Sequence, residues 1–343
     1  MYKMMVSAFG TVFVALALIG CAGGNSSSSG TGVLTTEPAA APDSDHGGCL
    51  AGDEFGLSDE TPEPECLGET LSQVERSETA PPPLRMVFEH PEFDCLNVTF
   101  DMFVDVFGVY VVGTSGVPDA HLLHTANVLA QYLDNDEDGV PDDSDVLGVL
   151  TDHNFVVPVW MESDRDSFRD GARGTPCEDD VSMAASMYYG QDQWALGGLQ
   201  AAGSWDTNLE EVWHVVSVGW YETYPEFFGD EPESRLSKAM DTARGGHFEH
   251  IPDSYPEGSW YAYDDDTCDY RCQIHEYFYW LLMANIGALD PSISDKCDDS
   301  RHEWHVCSKS ELEQVDELAY ALLNHYDFSL PTRIPTGTYL PLD

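Results

Sequence analysis

The sequence predicts an α+β fold, predominantly helical, in one disulfide-stapled domain behind a disordered N-terminal tether. Three observations predict it. Apolar residues recur at helical spacing in segments 119–133, 207–222, 234–243, 271–288 and 309–325, and in a shorter one at 181–189, whereas 98–112 and 153–160 are β-branched and aromatic runs that read as strands. Eight cysteines beyond Cys21 form an even set. Residues 22–84 are rich in Pro, Glu, Ser, Thr and Gly, hold few large apolar residues and end in Pro81-Pro82-Pro83, which reads as a tether.

Each element has its own warrant. In 119–133 the apolar set is Leu122, Leu123, Ala126, Leu129, Ala130 and Leu133, and Asp119 reads as the N-cap. The stripe Met183, Met187 and Tyr188 reads as core. Among the cysteines, short spacing favours Cys268–Cys272, Cys297–Cys307 and Cys49–Cys66, which leaves Cys95 for Cys177. No CxxC pair supports a zinc-cysteine site instead. With 343 residues, 42% hydrophobic, and 8 Trp, 16 Tyr and 15 Phe, the chain has ample material for a core. Its 62 acidic against 14 basic residues give a net charge of −48. That field repels a phosphate backbone, so nucleic-acid binding is excluded, and it suits hard cations such as calcium.

The N-terminus carries Lys3, an apolar run over 4–20 and then Cys21, the pattern of an export signal too short for a membrane span. Leu18-Ile19-Gly20-Cys21 resembles the lipobox of bacterial lipoproteins. The resemblance implies removal of 1–20, a diacylglycerol on the Cys21 thiol and, with Ala22 rather than Asp next, an outer-membrane address in the cell envelope. The expected organisation is therefore a signal peptide at 1–20, an acidic low-complexity tether at 21–85 and a globular domain at 86–343.

Directly after the first long helix comes Asp134-Asn135-Asp136-Glu137-Asp138-Gly139-Val140-Pro141-Asp142-Asp143-Ser144-Asp145. Oxygen donors fall at positions one, three, five, nine and twelve, and Gly139 stands at six, where the turn needs a residue without Cβ. The segment resembles the EF-hand loop and its relatives in thrombospondin type 3 and dockerin repeats. That resemblance implies a calcium ion held by Asp134, Asp136, Asp138, the Val140 carbonyl, Asp142 and Asp145. Two departures, Pro141 at position eight and Asp145 in place of the bidentate Glu, point to a solitary structural clamp rather than a sensor.

A second pattern lies in Asn208-Leu209-Glu210-Glu211-Val212-Trp213-His214. Glu210 and His214 are four apart and share one helix face, with Glu211 placed beside them as a general base would be. The segment resembles a zincin helix, H-E-x-x-H, with Glu in place of the first His. The resemblance implies a third ligand from a downstream helix, which Glu276 supplies, with His275 as the alternative, and a zinc ion used to hydrolyse peptides. Tyr263 or Tyr261 is the expected group to polarise a carbonyl. The pairs His121/His124, His247/His250 and His302/His305 are weaker, Arg244-Gly245-Gly246 reads as a tight turn, and Ser204 and Ser217 lack a triad. Two function classes follow: a lipid-anchored, calcium-stabilised, zincin-like metallopeptidase, or a non-catalytic calcium-stabilised binding or adhesion module that uses exposed aromatics of 255–280.

Overall fold

A turn that no sequence spacing announced organises the sheet. Residues 98–112 do not form one strand: Phe107 and Gly108 both take positive φ (56° and 93°), the two-residue hairpin geometry, and Gly108 N–H donates to Asp105 Oδ1 at 2.8 Å. The run becomes helix α1 (Leu96–Thr99) and two antiparallel strands. The computed structural model describes residues 84–167 and 176–341, which belong to one compact unit. Cys21, the signal, the tether and the Cys49–Cys66 pair lie outside the described residues.

The five strands are β1 (Met86–Val87), β2 (Met102–Val106), β3 (Val109–Gly113), β4 (Val156–Met161) and β5 (Met187–Tyr189), and they pair in that order. The first two pairings are antiparallel and the last two parallel. Period-two alternation gives the sheet two apolar faces. Val104, Val106, Val109, Val111, Val157, Val159 and Met187 face the main core; Phe103, Val112, Val156, Trp160 and Tyr188 face a smaller one with Leu96 and Phe100. The expected helix at 181–189 is thus β5 and the loop before it. Met187 and Tyr188 serve opposite cores, which a helical stripe would not allow.

Helices α2 (Asp119–Leu133) and α3 (Ser144–Asp152) fill the crossover from β3 to β4, with the acidic loop between them. Asp119 is the first residue of α2, not its cap; Pro118 holds that place with extended backbone. Next come α4 (Leu199–Ala202), α5 (Asn208–Thr223), α6 (Pro225–Phe228), α7 (Arg235–Ala243), α8 (Tyr270–Asn285) and α9 (Lys296–Asp299), then α10 (Lys309–Val315) and α11 (Glu317–Leu323). The expected single helix at 309–325 breaks at Asp316. Its carboxylate caps α11 through Ala319 N–H and accepts from Trp260 Nε1 and the Tyr277 hydroxyl, so it is drawn inward.

The fold is α+β, with eleven α-helices beside a five-stranded mixed sheet among the described residues. Disulfides join Cys95–Cys177, Cys268–Cys272 and Cys297–Cys307. Among the described residues no helix is long and apolar enough to cross a membrane.

Candidate metal centres

Helix α5 is buried along nearly its whole length and is fixed at both ends. At its start, Asp206 Oδ1 accepts from the backbone and side-chain nitrogens of Asn208 (3.2 and 2.8 Å), while Asp206 Oδ2 holds His124 Nε2 at 2.6 Å. Near its end, Gly219 lets α3 approach closely. Helix α8, capped by Asp269 onto Cys272 N–H (2.9 Å), runs past α5 in the opposite sense. Tyr221, Ser217 and His214 meet Arg271, His275 and Glu276 in turn.

This pairing brings Glu210, His214 and Glu276 together, with one ligand atom of each within 4.8 Å of the others. His214 Nε2 stands 3.5 Å from Glu276 Oε2, and both side chains are buried. Around a tetrahedral zinc ion with bonds of ~2.0–2.1 Å, neighbouring ligand atoms stand ~3.4 Å apart. The 3.5 Å separation fits either a direct imidazole–carboxylate ion pair or two ligands about one ion. His214 Nδ1 is buried with no hydrogen-bond partner, an uncompensated polar atom in a site rich in charge. Burial alone would depress the His214 imidazolium, but Glu276, Glu211 and Glu210 outweigh it and raise the group to about 9. Glu211 is buried beside them, and burial pushes its carboxyl well above the usual range, with His214 opposing.

Three further groups, Glu303, Tyr279 and Lys296, complete the surroundings, and the sequence reading gave none of them a role at the site. Glu303 accepts from Trp280 Nε1 at 2.5 Å, and burial followed by the Glu276 charge lifts its carboxyl to about 8. The Tyr279 hydroxyl is buried, and after burial the Glu210 charge is the largest influence raising it well above its ordinary value. Lys296 Nζ lies 3.7 Å from Glu210 Oε2. Lys296 and Glu303 reach the site on the segment closed by Cys297–Cys307; that pairing was readable from spacing, but the segment's position over α5 and α8 was not.

The other expected residues make the following contacts. His275 turns away from the trio: its Nδ1 meets Ser217 Oγ at 2.8 Å, and burial lowers it to about 3. Tyr261 is fully buried with its hydroxyl donated to the Gln273 carbonyl (3.1 Å). The contacts of Tyr263 include the Tyr261 ring (6.3 Å) and the Tyr255 hydroxyl, which donates to the Tyr263 carbonyl (2.6 Å). His247 and Arg244 both hold Asp241 (2.9 Å each).

In the acidic loop the structure brings Asp134, Asp136 and Asp138 together, one oxygen of each within 4.8 Å of the others. Gly139 takes φ 87° and Glu137 φ 60°, and the N–H groups of Asp138 and Gly139 donate to Asp134 (3.1 and 2.8 Å). Asp142 accepts from Asn135 N–H at 2.7 Å, and burial raises its carboxyl to about 6. Val140 is exposed and donates its N–H to Asp138 Oδ1 (2.8 Å). Asp145 is exposed in the first turn of α3 with its N–H on Asp143, which is the cap.

The loop is strapped by the C-terminal segment. Asn127, Gln131 and Asn135, each a turn apart on α2 and its extension, accept backbone N–H groups of Tyr339, of Thr336 and Gly337, and of Thr332 and Arg333 (2.8–3.3 Å). The Tyr339 hydroxyl closes onto Asp134 Oδ2 at 2.5 Å.

Comparison of the chain with protein-family models, with curated proteins and with solved structures finds no match in any of the three.

Proposed function

We propose that the protein is a metal-dependent hydrolase of the cell envelope, acting on peptide bonds at Glu210, His214 and Glu276. The observation that carries the reading is the convergence of these three side chains from two helices, with Glu211 buried at their side. Two carboxylates and an imidazole are competent zinc ligands, and they leave a position for water and substrate. A zinc ion there supplies a Lewis acid that acidifies bound water. Glu211 takes the water proton as the oxygen adds to the carbonyl carbon, and returns it to the departing amine.

The acidic loop binds calcium as a structural clamp between α2 and α3, held by Asp134, Asp136, Asp138, the Val140 carbonyl, Asp142 and Asp145. The convergence of the first three supports this. Export and lipidation at Cys21 complete the reading; the three disulfides suit an oxidising compartment outside the cytoplasm.

The binding-module alternative leans on exposed aromatics at 255–280, and Tyr261, Tyr263, Tyr277, Tyr279 and Trp280 are buried. The discriminating experiment compares two variants for metal content and for cleavage of a mixed peptide library. Glu211→Gln keeps the zinc of the wild type and loses cleavage, whereas His214→Ala loses both. A wild type that cleaves no peptide while holding zinc would return the protein to the non-catalytic class.

A further inference from the structure

Lys296 is one of only 14 basic residues in a chain of net charge −48, and it stands beside Glu210, with its charge also acting on Glu303. Its ammonium is 5.4 Å from the ring centroids of both Trp205 and Trp280, so the side chain is lodged over two indoles. At 3.7 Å its approach to Glu210 is an ion pair without a hydrogen bond, and the side chain remains 23% exposed. The N–H donors of this cation are therefore available to a ligand. The backbone beneath it is anchored. Cys297 is bonded to Cys307, Trp304 is fully buried and pairs with Tyr261, and Glu303 of the same segment is tied to Trp280.

Hydrolysis of a carbonyl needs a donor for the oxygen that becomes negative. Tyr261 has given its hydroxyl to the Gln273 carbonyl. Among the described residues, Lys296 is the lysine or arginine that pairs with the trio, through Glu210. We propose that Lys296 is the anion-recognising residue of this centre, donating to an anionic oxygen of the substrate, either the developing oxyanion or a carboxylate beside the scissile bond, next to the cation held by Glu210, His214 and Glu276. The proposal rests on the metal-dependent reading above. In the reaction the water oxygen bonds to the carbonyl carbon, the π electrons move to the carbonyl oxygen, and that oxygen accepts from Lys296 until the C–N bond breaks.

The electrostatics make a specific demand. Without a bound ion the surrounding carboxylates repel any anion; with one, the ion and Lys296 together form a positive pair. Anion binding should thus require both. The experiment loads the full-length protein with Co2+, whose visible spectrum reports its ligands, and titrates it with acetate. The expected result is saturable binding to the wild type and Lys296→Arg, at least about tenfold weaker binding to Lys296→Met, and none to the Co2+-free protein. Equal acetate affinity in the wild type and Lys296→Met would overturn the proposal while leaving the metal reading intact. A Lys296→Met protein that no longer takes up Co2+ would also overturn it, since the lysine would then be ordering the ligands. A wild type that takes up no Co2+ would overturn both.

Discussion

At Gly219 a methyl group would stand 2.8 Å from Val146 Cγ1 and 3.1 Å from the Val146 carbonyl oxygen. That contact seats α3 against the helix that carries Glu210, Glu211 and His214. Alanine in a helix normally gains roughly 1 kcal/mol over glycine, but overpacking here costs about 1–3 kcal/mol. Gly219→Ala should therefore lower the urea midpoint of unfolding; a raised midpoint would show that the helices have room to part. Tyr339 offers a second case. Its hydroxyl donates to Asp134 Oδ2 at a fully buried carboxylate, and its own ionisation is pushed far up by burial and that bond. Tyr339→Phe should cost about 1–2 kcal/mol of stability, read from thermal melting, by leaving Asp134 short of a donor.

Among the elements, the acidic loop makes the clearest claim. Asp134, Asp136 and Asp138 repel one another unless a cation joins them, and the strap over Asn127, Gln131 and Asn135 depends on the loop's shape. Calcium at a hundredfold excess over Kd adds roughly 2.7 kcal/mol. EGTA should lower the melting temperature of the wild type and leave Asp134→Ala/Asp138→Ala unchanged; identical wild-type curves with and without EGTA would remove calcium from the account. Helices α2, α5, α7 and α8 were legible because each carries an unbroken apolar pattern over two or more turns. The losses came where tertiary contact outweighed pattern. Met187 and Tyr188 pair with β4, and Asp316 breaks an otherwise helical run because two buried donors, Trp260 Nε1 and the Tyr277 hydroxyl, claim its carboxylate. In the site, the motif residues Glu210, Glu211 and His214 could be read from spacing. Lys296 and Glu303 could not, because their place depends on how the Cys297–Cys307 segment folds back over α8.

Across the whole molecule the charge balance dictates how stability follows pH. His214 is raised to about 9 from 6.5, Glu303 to about 8 from 4.5, and Asp142 to about 6 from 3.8. Each group binds its proton more tightly folded than unfolded, so each contributes stability that is complete below its unfolded value and lost as pH rises through its folded one. Chelated protein should therefore melt at progressively lower temperature between about pH 4 and 9. Bound cations reverse the sign for their ligands, because deprotonated groups hold them better. The gap between metal-loaded and chelated melting curves should widen over the same range, and parallel curves would show that these groups do not face the ions. Anomalous diffraction at the zinc edge from zinc-soaked crystals decides whether α5 and α8 together build a metal centre. One strong peak is expected within ~2.0–2.2 Å of a carboxylate oxygen of Glu210, a ring nitrogen of His214 and a carboxylate oxygen of Glu276. A map with no peak among these three side chains, and His214 still against Glu276 at full zinc, would contradict it.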